Sequence, residues 1–551
     1  MNQRDLIKIT AILCLEYEEF SPEEAVEMIA SARNGDTNLF NDIRSVVPEE
    51  RLLYIVANEL SVHFANIDNP ESGLTMDTDL IEECDPRKLI LHSILPMRHS
   101  GGVALVMADP TDANATSYAR ELFSAGYTLA LAPKRQIISQ LMQVANTFEP
   151  SSAANAVPEW VDYALVQAAA FGTSDVHFNM QAEDAGYRMI VKLRTDGVLR
   201  RFPFPDSLRG REREVAASLL AKSASMDSAN MRDPQDGTFS FKAAGKTIDV
   251  RAAMIPVIGE GVKLTCRLLD PSNIDRKLND MGFSQQHMHW IRREASAAQG
   301  TIVVVGPTGS GKSTTLYTLL GEVDQEEKNV ITLEDPVEYR MKGIAQIPIR
   351  NYGDKPLTFS HALRNVLRQD PDVILVGEMR DTDTAQVTME AAITGHMVYS
   401  TLHANSAPNA YMRLVDMKVD PFLVSEAVSL ILSQRLIRRA HSCASVSSPT
   451  EDEAQKLASW GFGDIEKVPR VSGCSGCNGT GYKGRIPVIE VLVPNQHLKA
   501  AIGSGASSVE ILEASRACGW EPIINDAARH LRAGSTTVSE LVRTIVADFV
   551  E

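Results

Sequence analysis

Residues 301–320 read TIVVVGPTGSGKSTTLYTLL, and no other stretch constrains the fold as strongly. Thr301 to Val305 is an apolar, β-branched run suited to a buried strand, and Ser313 to Leu320 has helix-forming composition. Between them stands Gly306-Pro307-Thr308-Gly309-Ser310-Gly311-Lys312-Ser313-Thr314. The glycines admit backbone conformations that a Cβ blocks, so successive N–H groups can turn onto an anion at a helix N-terminus. In that setting Lys312 is expected to reach the β- and γ-phosphates of a nucleotide, with Ser313 holding Mg²⁺. The alternative is a flexible glycine turn, and the strand and helix flanks argue against it.

Further segments carry the acids that phosphate chemistry needs. Asp372 to Met379, DVILVGEM, reads as a strand ending at Gly377 and Glu378, where an acid at the C-terminal edge can face Mg²⁺ through a water. Glutamate stands there in place of the more usual aspartate. Val330 to Tyr339, VITLEDPVEY, is a second apolar strand running into Glu334, Asp335 and Glu338. Hydrolysis requires a carboxylate that orients and deprotonates water in line with the γ-phosphate, and Glu334 is the first choice. Either acidic cluster alone reads as a solvated strand end; together, after a phosphate loop, they read as a catalytic set. Thr394 to Asn405 adds His396 and His403, which lack companions at zinc-ligand spacing. His403 is expected to meet the γ-phosphate or the catalytic acid as a neutral imidazole, with ordinary packing as the alternative.

The chain has 551 residues, too many for one core, so three or four domains are expected. Its net charge of −17, from 54 basic and 71 acidic side chains, disfavours direct contact with nucleic acid. No run of about 18 apolar residues is present, so membrane association is expected only through protein partners. The first residues lack a cleavage-site pattern, and 7 cysteines in a chain of this length do not suggest a disulfide scaffold, which points to the cytosol.

The pattern divides the chain as follows. Residues 1–145 carry helical stretches (Pro22 to Ala32, Glu49 to Phe64) and a strand-like run, Val103 to Met107, without a catalytic motif. Residues 146–157, which largely coincide with the small, polar stretch Thr147 to Pro158, read as a linker. Period-two segments such as Tyr187 to Leu193 and Lys246 to Ala252 make 158–272 an α+β sheet domain. A short polar connection, Asp270 to Lys277, leads to the nucleotide-binding core, 283–440. A glycine- and cysteine-containing segment follows at 441–486, then a helical region at 487–551. No internal repeat is found.

Taken in order, GPTGSGKST, ITLEDPVEY, DVILVGEMRD and TGHMVYSTLHANSA resemble the Walker A, aspartate, Walker B and histidine boxes of the assembly ATPases of type II secretion and type IV pilus systems. Ser174-Asp175-Val176-His177-Phe178, Arg194 to Leu199 and Arg232-x-Pro234-Gln235-Asp236-Gly237 look like that family's second N-terminal domain. Asp249-Val250-Arg251 and Arg267 to Asp270 match the segments whose arginines reach the nucleotide phosphates, and Gly519 to Thr544 also fits. Residues 50–145 are more loosely similar to the first domain. The resemblance implies an α/β protein: a RecA-like P-loop ATPase domain preceded by an α+β, PAS-like domain and a separate N-terminal α+β domain. It implies ATP and Mg²⁺, and Arg251 and Arg267 as charges delivered to the anionic transition state from another domain, with salt-bridged surface arginines as the alternative. It further implies a homohexamer at the cytoplasmic face of an inner-membrane machine, working with a platform protein and cytoplasmic assembly proteins. Pilin assembly of a type IVb system is preferred over type II secretion because the N-terminal region and the cysteine segment depart from the common pattern. A conjugative or type IV secretion ATPase is the further alternative, and the acidic balance weighs against it.

Two departures bear on metal binding and on the second domain. The family commonly binds zinc through two CxxC pairs; here Cys474-Ser-Gly-Cys477 is intact and the first pair has become His441-Ser442-Cys443. A Cys₃His zinc site, a metal-free glycine loop and a redox pair are all open readings. Asn179 stands where an acid usually follows the histidine segment.

Overall fold

The computed structural model describes residues 3–545 apart from 16, 18–19, 35–38, 48, 66, 68–73, 77–79, 82–83, 85, 100–101, 124–125, 145–151, 184–185, 244, 271–276, 351–355, 472, 475–476 and 478–479. The chain forms two compact units, mainly residues 1–268 and mainly residues 269–551.

The first unit holds two sheets. One contains β1 (His63–Phe64), β2 (Leu74–Met76), β3 (Ile94–His99), β4 (Gly102–Met107) and β5 (Thr128–Leu131), in the order β1-β5-β4-β3-β2. The helix expected from Glu49 to Phe64 stops at Leu60, because Ser61 takes a left-handed φ of 53° and the chain turns into β1. The other sheet contains β6 (Thr173–Glu183), β7 (Gly186–Thr195), β8 (Val198–Phe202), β9 (Gln235–Ala243), β10 (Lys246–Val257) and β11 (Gly261–Leu269), ordered β8-β7-β6-β11-β10-β9. The period-two segments lie in β7 and β10, where burial alternates along much of each strand as one face turns to the core.

The helix Ala156–Ala170 begins inside the segment read as a linker and buries Val157, Trp160 and Val161. Trp160 packs edge-on to Phe178 and Phe204, with ring centroids 6.2 and 5.0 Å away. The start of that segment, 147–151, and residues 271–276 of the expected polar connection lie outside the described residues.

The second unit is built on a seven-stranded sheet made from β12 (Gly300–Val305), β13 (Val330–Glu334), β14 (Ala345–Pro348), β15 (Val373–Val376), β16 (Met397–Leu402), β17 (Val428–Ala440) and β20 (Tyr482–Leu492). Its order is β14-β13-β15-β16-β12-β17-β20, and a two-stranded ribbon, β18 (Ser445–Ser447) with β19 (Val468–Arg470), lies between the last two in sequence. All pairings are parallel except β17 with β20. Every residue of β12, β13, β15 and β16 is buried, which explains their unbroken apolar runs. Each large aliphatic side chain so covered contributes about 1.5–3 kcal/mol relative to exposure.

β20 changes one sequence boundary: residues 482–492 return to the sheet that carries the phosphate loop, so that sheet does not end near residue 440. A lone apolar strand between a glycine segment and a run of helices has no local signal saying which sheet it joins.

Candidate active site

Because β12, β13, β15 and β16 run parallel, their C-terminal ends meet at one edge of the sheet. There β12 passes into the glycine loop and the helix Lys312–Gly321, β13 ends on Glu334, β15 leads through Gly377 to Glu378, and β16 leads to His403. The four boxes thus converge by strand direction alone.

The loop is shaped for close backbone approach. Gly306 and Gly311 have φ of 144° and 88°. A Cβ on Gly306 would lie 2.4 Å from the Gln434 carbonyl oxygen, and one on Gly311 would lie 2.8 Å from Gln434 Nε2. Ser310 is buried, and its hydroxyl oxygen has no hydrogen-bond partner among the described residues. Lys312 Nζ donates to the carbonyls of Gly306 at 2.8 Å and Pro307 at 3.1 Å. Burial lowers the Lys312 pKa, and the nearby Glu378 carboxylate opposes that shift. Pro307, Thr308, Gly309 and Ser313 are exposed, with Thr314 partly so. Glycine backbone, an ammonium group, an orphaned buried hydroxyl and exposed Ser313 fit a nucleotide triphosphate, and Ser313 with Glu378 offers oxygen donors suited to Mg²⁺.

Glu334 is 5% exposed and held on both oxygens. Thr332 Oγ1 donates to Oε1 at 2.6 Å, Gln346 Nε2 donates to Oε1 at 3.1 Å, and the Tyr317 hydroxyl donates to Oε2. Glu378 pairs with Arg380 at 2.6 Å. His403 is exposed, and its pKa is lowered by partial desolvation and by the Lys312 ammonium, with Glu378 acting the other way. His396 instead places Nδ1 2.9 Å from the Ala391 carbonyl, a packing role at the end of the helix Thr382–Ile393.

Sequence reasoning missed Tyr317, Gln346, Arg380 and Gln434. Tyr317 lies five residues after Lys312, close enough to be sought as a partner for a neighbouring strand end. Gln434 carries no local signal, since a polar residue in an apolar strand announces a partner without naming it.

The arginines lie in the first unit. Arg251 is half-buried on β10, in register with Thr238 of β9. Arg267, on β11, is exposed and donates from Nε to Asp175 Oδ1 at 3.0 Å, while Arg194 Nε stands 3.9 Å from the other oxygen of the same carboxylate. Arg232 is exposed.

The ligand atoms of His441, Cys443, Cys474 and Cys477 all lie within 4.8 Å of one another. His441 Nδ1 accepts from the Cys443 N–H at 3.3 Å. A tetrahedron with arms of about 2.0–2.3 Å has ligand separations of roughly 3.5–3.8 Å, so a small contraction of this cluster suits zinc.

A family model described as "Type II/IV secretion system protein" matches residues 151–543. The type II secretion system protein HxcR of Pseudomonas aeruginosa is 37% identical over 379 residues, covering 69% of this chain and 75% of its own. The type IV pilus assembly ATPase PilB of Myxococcus xanthus is 37% identical over 418 residues, covering 74% of this chain and 71% of its own. Among solved structures, the Legionella pneumophila ATPase DotB superposes with a TM-score of 0.52 at 20% identity, over 73% of this chain and 98% of its own, a likeness of fold.

Proposed function

The chain belongs to the type II/IV secretion system protein family, and we propose that it is the ATPase that powers assembly of a type IV pilus. The observation that carries the ATPase part of this reading is the convergence of the phosphate loop, Glu334, Glu378 and His403 on the C-terminal edge of one parallel sheet. Loop N–H groups and Lys312 receive the phosphates, and Glu334 orients the attacking water. Ser313 and Glu378 would hold Mg²⁺, which would neutralise phosphate charge. His403, kept neutral by its surroundings, is suited to hydrogen-bond a phosphate oxygen or the catalytic acid.

Arg251 and Arg267 complete the site by adding positive charge on closure, and hydrolysis thereby becomes sensitive to domain position. The protein works as a homohexamer at the cytoplasmic face of the inner membrane, bound to a platform protein and to cytoplasmic assembly proteins. Among the described residues no helix is long and apolar enough to cross a membrane, so force passes through protein contacts. Residues 1–145 serve as the docking module. His441, Cys443, Cys474 and Cys477 would hold a Cys₃His zinc, which would brace the segment that joins β17 to β20.

Type II secretion is the second reading, supported by HxcR at the same identity as PilB. ATP turnover by the purified full-length chain tests the enzymatic reading. A deletion strain that loses surface pili and keeps protein export supports the pilus, and the reverse phenotype assigns the chain to secretion.

A further inference from the structure

β17 runs parallel to β12, with Ser433 in register with Val305, so Gln434 stands beside the first residue of the phosphate loop. It is fully buried. Its Nε2 donates to the Ser310 carbonyl at 2.7 Å, and its Oε1 accepts from Thr315 Oγ1 at 2.7 Å. The amide orientation is dictated by chemistry, because a carbonyl can only accept and the NH₂ must therefore face Ser310. One side chain thus grips the loop at Ser310 and the helix behind it at Thr315.

The consequence follows from peptide geometry. In a trans, planar peptide the C=O and the next N–H point in opposite directions. Tying the Ser310 oxygen to Gln434 turns the Gly311 N–H away from β17. The same glutamine lies so close to the loop that Cβ atoms at Gly306 and Gly311 would collide with its carbonyl oxygen and its amide nitrogen.

We propose that Gln434 is a positioning residue that holds the phosphate loop in its anion-binding conformation before nucleotide arrives. The proposal rests on the reading of residues 306–314 as the nucleotide site. Pre-organisation of this kind strengthens binding by removing the cost of ordering the loop. It also ties the loop to β17, and through β17 to β20, so loop geometry is set by a strand remote in sequence.

The test uses full-length protein and titration with fluorescent ADP and a non-hydrolysable ATP analogue. Gln434→Glu, titrated at alkaline pH so that its carboxyl is ionised, retains the acceptor for Thr315 and loses the donor for Ser310 at nearly unchanged volume. It is expected to weaken both nucleotides by about 10- to 100-fold, the equivalent of one buried carbonyl left unpaired. KM for ATP rises in parallel, while kcat at saturating ATP changes less than KM, and the nucleotide-free thermal midpoint falls by only a few degrees, the cost of one unpaired carbonyl. Gln434→Met, apolar and of similar length, is expected to behave the same way, and it carries the test if the glutamate variant does not fold. Wild-type affinity in either folded variant, or a loss of thermal stability with affinity intact, overturns the proposal. Lys312→Ala is the control: if wild-type protein binds no nucleotide, or if Lys312→Ala binds as well as wild type, the reading of the site fails instead.

Discussion

Tyr317, on the helix that follows the phosphate loop, donates its hydroxyl hydrogen to the carboxylate of Glu334 at the end of β13. The same hydroxyl oxygen accepts from the Glu338 N–H at 3.3 Å. The helix that begins with Lys312 and Ser313 is thereby tied to the strand end that carries the proposed water-orienting acid. The proposed phosphate contacts and the proposed water activation are thus linked through one phenol.

Tyr317→Phe is therefore expected to bind ATP with near-normal affinity and to lose about tenfold in kcat, the effect of one hydrogen bond to a charged group. Lys312→Ala and Glu378→Ala should nearly abolish turnover, and Glu334→Gln should bind ATP without hydrolysing it. Steady-state kinetics beside nucleotide titration separates these outcomes; near-normal turnover by Glu334→Gln would remove the assignment of that residue.

Arg251→Ala and Arg267→Ala should fold normally and lose turnover on the order of 10³-fold, as expected for removal of a charge that acts on the phosphoryl transition state. Asp175 holds Arg267 through Nε at 3.0 Å, and among the described residues the terminal guanidinium nitrogens show no further partner, so they can engage another group. A wild-type rate in both variants, measured at saturating ATP, would confine these arginines to the surface of their own sheet.

Elemental analysis of purified protein should find about one zinc per chain. Replacing Cys474 and Cys477 by serine should release it and lower the melting temperature. Metal-free wild-type protein of unchanged stability would leave the segment a glycine loop and would not touch the ATPase reading.

His530 accepts from Arg529 Nη2 at its Nε2, 2.8 Å away, and is therefore neutral in the fold. Burial, reinforced by the Arg529 charge and opposed by Asp526, pushes its pKa from 6.5 down to about 4. Burial also lowers His287, whose Nδ1 is 3.9 Å from Asp526. A depressed folded-state pKa means that the unfolded chain takes up the proton first. Stability is complete above about pH 6.5 and falls as pH drops from there toward 4, with roughly 3 kcal/mol as the ceiling for His530. In His530→Gln, thermal unfolding followed from pH 7 to 4 should lose much of this slope; an unchanged slope would place the acid sensitivity elsewhere.

A truncated protein beginning at Ser152 should keep measurable ATPase activity while failing to restore pili or export in a deletion strain. A start at Glu159 would remove Val157 and the first turn of the helix Ala156–Ala170, exposing its packing surface, so the earlier residue is the better cut. Full restoration by the shortened protein would move the docking function out of residues 1–145.

The local chemistry of the chain was legible without a structure. An apolar β-branched run, glycines where a Cβ cannot fit, and acids at strand ends mark residues 306–314, Glu334 and Glu378 as candidates, because each signal rests on a backbone propensity spanning a few residues. Likewise, the alternation in β7 and β10 exposes a half-buried sheet. The helix expected to reach Phe64 ends at Leu60, and the segment read as a linker already holds the first residues of the helix Ala156–Ala170, since helix ends depend on single residues such as Ser61.

Only tertiary structure decided which polar groups became partners. Thr315 and Gln434 are 119 residues apart in sequence, Asp175 and Arg267 are 92 apart, and the ring of donors around Glu334 comes from the Lys312–Gly321 helix, β13 and β14. The same holds for β20, whose apolar run fits many sheet edges until β17 supplies the register. Strand pairing sets these distances, and it minimises a free energy summed over the whole core. A residue's own sequence window therefore specifies what it can bond, and the fold specifies with whom.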